Sequence, residues 1–213
     1  VVHTVGAMIA LAGAIVLGPR IGRKFKRDGG GLPAGHDLTI AAVGGVILWF
    51  GWYGFNPGST LSAMDAAGIG RVATNTTLAA AAGGMSAMFW VFPRIKKWDI
   101  GITINGFLGG LVAVTAPCYW ISPTGAIIVG AIGGIVVVYG IDFIEWLRID
   151  DPIGAVAVHG FCGIWGTWAV GLFATGDFAD FKGLFYGGGT KQLWAQVWGN
   201  GLVVIVTLAV SFA

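Results

Sequence analysis

Residues 124–147 read TGAIIVGAIGGIVVVYGIDFIEWL, and the first charged side chain among them is Asp142. The hydrocarbon core of a bilayer, about 30 Å thick, takes roughly 20 apolar residues as one helix. The stretch therefore reads as a membrane span. Six others meet or approach the same criterion, at 1–18, 38–57, 71–92, 101–121, 152–174 and 192–213. Seven spans in one chain predict an all-α, polytopic transmembrane helix bundle forming a single domain over 1–213.

Composition excludes most rivals. The chain has 213 residues, of which 56% are hydrophobic and only 10% charged, whereas soluble domains carry about 25% charged residues. It cannot cover a globular surface with polar groups, so lipid is its main solvent. The 38 glycines and 10 tryptophans agree, since small residues let membrane helices approach and tryptophans gather at the interfaces. A net charge of +2 gives no case for nucleic acid. Cys118 and Cys162 lie in apolar segments without metal-like spacing and read as small buried hydrophobes. No metal or cofactor is implied. Val1 already sits in an apolar run and the last residues are apolar to Ala213, so the sequence reads as an internal piece of a longer protein rather than one led by a signal peptide.

Punctuation between spans organises the bundle. Asp151 before Pro152 predicts a capped helix start, with proline at the first helical position. Thr124 follows Ser122-Pro123 as a second start, and Phe92-Pro93 closes the third span. Gly106/Gly110 and Gly130/Gly134 are small-xxx-small pairs that mark close helix contacts. With alternating loops, one side receives Arg20, Arg23, Lys24, Lys26, Arg27, Arg94, Lys96, Lys97 and Arg148; the other receives Arg71, Lys182 and Lys191. That asymmetry puts the basic loops in the cytoplasm and the 57–70 loop outside.

Ionisable groups inside a membrane are costly and functional by default. Asp142 and Glu145 close the fifth span and read as a solvated helix end, while His36 belongs to the loop from Pro19 to Asp37. His3 and His159 lie within spans. An imidazole can donate and accept a hydrogen bond at once and pass a proton near neutral pH, which suits a path for small polar species. By helical rise, His3 is about 22 Å and His159 about 10 Å from the inner ends of their helices, so counting alone does not bring the rings together.

A second constellation is Trp49-Phe50-Gly51-Trp52-Tyr53-Gly54-Phe55-Asn56-Pro57-Gly58-Ser59. Trp52 and Phe55 share a helix face, and aromatic faces attract a desolvated cation by roughly 0.5–2 kcal/mol. The hydroxyl of Ser59 can accept a hydrogen bond from such a cation. An interfacial aromatic belt is the plainer reading, but the Asn-Pro-Gly-Ser that follows is unusual for one.

Three stretches, Val1-Val2-His3, Gly51 to Ser59, and Asp150-Asp151-Pro152 followed by Val158-His159-Gly160-Phe161-Cys162-Gly163, closely resemble the ammonium transporter family (Amt, Mep and Rh proteins), most of all its bacterial and archaeal members. The resemblance implies an inverted-repeat fold of eleven helices, of which these seven spans are the fifth to eleventh, assembled as a homotrimer in the cell membrane. It makes His3 and His159 the twin pore histidines and proton relay. Phe55 becomes one ring of the outer gate, Trp52 a pore-lining aromatic, and Ser59 the hydroxyl of the ammonium recruitment site. Ammonium or methylammonium is the implied substrate, and a PII-type signal protein the implied cytoplasmic partner. Gly154 departs from the pattern, standing where many members carry an acidic residue.

The implied activity is transport, not enzymatic catalysis: ammonium is recruited, deprotonated and passed along the histidines as ammonia. Two other readings use the same residues. A sensing protein would bind ammonium without moving it, and a bis-histidine haem protein would use His3 and His159 as axial ligands, leaving the aromatic cluster without a role.

Overall fold

The computed structural model describes residues 1–32 and 34–213. Among these residues the structure is helical, without strands. We number the helices α1 (Val2–Leu17), α2 (Leu38–Phe55), α3 (Ala66–Ile95), α4 (Ile100–Thr115), α5 (Pro123–Trp146), α6 (Val156–Phe173) and α7 (Lys191–Phe212). Five are long and apolar enough to cross a membrane, whereas α1 and α4 have 16 residues each, a rise of about 24 Å. The fold is that of a multi-pass membrane protein.

Several boundaries differ from the sequence expectation. Pro93 does not close α3, which continues to Ile95 and ends where Lys96 turns left-handed at φ 55°. At its other end α3 begins at Ala66, with the Asp65 carboxylate accepting from Gly68 N. Helix α4 ends at Thr115 rather than 121, because Pro117 has no N–H to offer the carbonyl of Ala113. Pro152 is not the first residue of α6; a turn through Gly154, at φ 76°, separates it from Val156. A side chain is strained in that left-handed conformation, and this explains locally why glycine stands at 154.

Glycines set the packing of α3 against α4 and α5. A methyl at Gly110 or Gly130 would overlap the carbonyl of Ala79, and one at Gly134 would overlap that of Gly83. Gly83 and Gly106 face each other in the same way. Backbones this close exclude any Cβ, so α3 lies in a groove formed by its two neighbours. The segment Gly109–Val114 of α4 is buried on every side, as expected of a helix enclosed by others. Helix α7 rests on α1 and α6.

One end of the bundle carries a charged clasp. The loop after α1 folds back under α5 and α6, and Arg20 donates to Asp150 from its backbone N at 3.0 Å and from Nε at 2.7 Å. Arg23, 5% exposed in its side chain, reaches both Glu145 and Asp150, each 3% exposed. Lys26 N donates to Glu145 at 2.9 Å, its Nζ to Asp142 at 2.6 Å, and Arg148 pairs with Asp28. Glu145 is therefore not a solvated helix end as its position suggested. An arginine from a loop over 100 residues away covers it, and sequence periodicity carries no trace of that partner. Asp142 stays exposed, and so does His36. The Arg20 guanidinium, and secondarily Arg23, hold the Asp150 carboxyl well below the usual carboxylate range.

Candidate functional site

His3 occupies the first turn of α1, where its ring is flanked on two sides. The His159 ring stacks on it at 5.4 Å between centroids, with planes 12° apart. The Trp52 indole stacks at the same separation, 7° from parallel. Phe55 completes the cluster, 5.2 Å from His3 and 5.8 Å from Trp52. The four side chains come from α1, α2 and α6, elements far apart in sequence. The structure thus joins into one site the two histidines and the aromatic pair that the sequence presented separately.

Backbone contacts show how the histidines meet. Gly160 lies against Ala7 and Met8, while Gly163 lies against Thr4 and the Cβ of His3. His3 is level with Gly163, one helical turn beyond His159, so the two Cα atoms are offset by about 6 Å along the helices. The imidazoles bridge that offset and stand in series. Counting gave twice this gap because it placed the ends of α1 and α6 at one depth, whereas these contacts set α1 about 5 Å further toward the clasped end of the bundle.

His159 sits in a π-helical turn, Val156–Phe161, at the head of α6. Such turns insert an extra residue and re-aim the side chains they carry. The Asp151 carboxylate accepts from Ala155 N at 2.9 Å and Val156 N at 2.8 Å, holding the amides that this turn leaves unpaired. Burial pushes the Asp151 carboxyl up, against the lowering effect of those backbone N–H groups.

On the aromatic side, Trp52 is buried and donates Nε1–H to Thr115 Oγ1 at 3.0 Å. That hydroxyl in turn donates to the Leu111 carbonyl at 2.8 Å. Phe55 is 42% exposed. Its neighbour Asn56 is buried and donates from Nδ2 to Thr76 Oγ1 at 3.1 Å, fixing the end of α2 to α3. Ser59 lies exposed in the following turn, where its hydroxyl donates to the Phe55 carbonyl at 2.6 Å. With its proton so engaged, the Ser59 oxygen has lone pairs free to accept from a cation.

Thr115, Asn56 and the π-helical turn were not singled out from the sequence. A threonine in an apolar span is unremarkable, and only its distance to the indole identifies it. The stacking also bears on a haem reading. Imidazole lone pairs lie in the ring plane, and two nearly parallel, face-to-face rings do not direct them at one shared iron.

The model described as the Ammonium Transporter Family matches residues 1–213. Ammonium transporter Amt2 of Archaeoglobus fulgidus is 44% identical over the whole chain, which covers 45% of that relative. A solved structure described as a Sensor Amt Protein is 38% identical with a TM-score of 0.84, covering 99% of this chain and 50% of that one. The crystal structure of Candida albicans Mep2 is 30% identical with a TM-score of 0.87, covering 99% and 47%. The chain spans about 45% of the length of the curated relatives it matches.

Proposed function

Because the chain belongs to the ammonium transporter family, we propose that the full-length protein moves ammonium or ammonia across the membrane along a path through His3 and His159. The stack of Trp52, His3 and His159, with Phe55 tilted against its Trp52 end, carries this reading. An ammonium ion is attracted by the aromatic faces and donates to the Ser59 oxygen. Past Phe55 the apolar surroundings penalise the charged form and lower the ion's pKa. Ammonia then moves beside the imidazoles, each of which can accept and donate a hydrogen bond, and the released proton can pass along the same pair. The clasped basic end faces the cytoplasm of a cell membrane. Three copies form the working assembly, and a PII-type signal protein docks at the cytoplasmic end.

Methylammonium uptake into liposomes holding the full-length protein tests the path. His159→Ala abolishes uptake or alters its selectivity; an unchanged rate with unchanged selectivity overturns the role of His159.

Likeness to a Sensor Amt Protein supports a second reading, in which the same site binds ammonium to signal. Saturable ammonium binding with no flux in the liposome assay decides for sensing.

A further inference from the structure

Four polar residues in succession, Thr74-Asn75-Thr76-Thr77, interrupt the apolar run of α3 about two turns from its start. Two of them reach the end of α2. The buried amide of Asn56 donates to Thr76 Oγ1 at 3.1 Å, and Thr76 is itself 0% exposed. The hydroxyls of Tyr53 and Thr77 lie 2.6 Å apart. Thr77 gives its own proton to the Ala73 carbonyl at 2.9 Å, so the phenol is the donor.

Between Trp52 and Asn56, three of five residues are thus tied to a threonine on another helix: Trp52 to Thr115, Tyr53 to Thr77 and Asn56 to Thr76. The two left over are Gly54 and Phe55. Phe55 has no polar group to anchor it, so its direction follows from the turn that carries it. Residues two apart on a helix point about 160° away from each other. Holding Tyr53 against α3 therefore turns Phe55 to the far face, where its ring meets His3 at 5.2 Å. Ser59 follows the same anchor, since its backbone N–H donates to the Asn56 carbonyl at 3.1 Å.

On the reading of Phe55 and Ser59 as the entrance, we propose that Thr76 and Thr77 are positioning residues. They form a two-point clamp on α3 that fixes where Phe55 and Ser59 present themselves to the incoming cation. Threonine suits the task. A hydroxyl whose proton is spent within its own helix, as at Thr77, is a fixed acceptor, and in an apolar span little water competes for the donor. The histidines belong to α1 and α6, outside the clamp. Its loss therefore weakens capture and leaves passage beside the imidazoles unchanged.

Methylammonium uptake by the full-length protein in liposomes, followed against concentration, tests the clamp. Tyr53→Phe and Thr76→Val each remove one bond and keep the side chain's shape. Together they should raise the half-saturation concentration about tenfold, with the maximal rate within about twofold of wild type. Thr76→Ser keeps the acceptor and should keep wild-type kinetics. Unchanged half-saturation in the double variant overturns the clamp, even where its melting temperature falls. So does a Thr76→Ser protein impaired as much as Thr76→Val, or a loss of maximal rate alone. Tyr53→Phe by itself, the milder change, should raise half-saturation about threefold and decides the matter if the double variant does not fold. Wild-type protein that moves no methylammonium overturns the transport reading instead, and half-saturation of ammonium binding then carries the same comparison.

Discussion

Trp52 and Thr115 are joined by an indole N–H to hydroxyl bond of 3.0 Å, and this bond sets the plane in which the indole meets His3. Rotation of Trp52 about its side-chain bonds would break the near-parallel stacking, so α4 orients the site without contributing a ring to it. Thr115→Val keeps the shape and removes the acceptor. The variant should lose about 1 kcal/mol of stability and, where that bond is needed for passage, about fivefold in uptake rate. Thermal unfolding and methylammonium flux measure the two effects separately. Unchanged flux would show that packing alone holds the indole.

Ser59 makes a contrasting prediction because it is exposed and its hydroxyl bonds locally, to the Phe55 carbonyl four residues earlier. Ser59→Ala should leave the melting temperature nearly unchanged, within about 0.5 kcal/mol. Removing an acceptor for a charged donor should weaken half-saturation for ammonium roughly tenfold or more. A variant with wild-type concentration dependence would remove Ser59 from recruitment.

The helical class was legible because 3.6-residue helices in lipid need long apolar runs, and nothing in 124–141 interrupts one. The histidines were legible as anomalies, but their contact was not. It depends on how α1 is set along α6, which is fixed where Gly160 meets Ala7 and Gly163 meets Thr4. Glu145 was misread for a related reason, since a carboxylate near a helix end looks solvated until its long-range partner Arg23 is placed. Contacts between distant segments leave no periodicity behind, and both differences are of that kind.

The clasp separates buried from exposed ion pairs. Arg23→Met would strand Glu145 and Asp150, both buried, with one cation fewer; losing one partner of a buried pair costs about 3–5 kcal/mol. Lys26→Met breaks a pair whose side chains are 49% and 55% exposed, for which about 0–1 kcal/mol is expected. Limited proteolysis of the loop after α1 compares them directly. Arg23→Met should be cut much faster than wild type, and Lys26→Met at nearly the wild-type rate.

Asp150 gives the clasp a definite acid limb. Its carboxyl is held below the ordinary range mainly by hydrogen bonds from Arg20, against the opposing effect of burial. A depressed carboxyl favours the folded state fully above its unfolded value of about 3.9. That contribution is lost as pH falls from there through the lower folded value. The stability difference between wild type and Asp150→Asn should therefore be constant from neutral pH down to about pH 5, then shrink below about pH 4. Unfolding of both proteins across that range, at constant ionic strength, is the measurement. A difference that already disappears between pH 7 and about pH 5 would mean that Asp150 titrates near its ordinary value, and that Arg20 does not hold it as the 2.7 Å contact indicates.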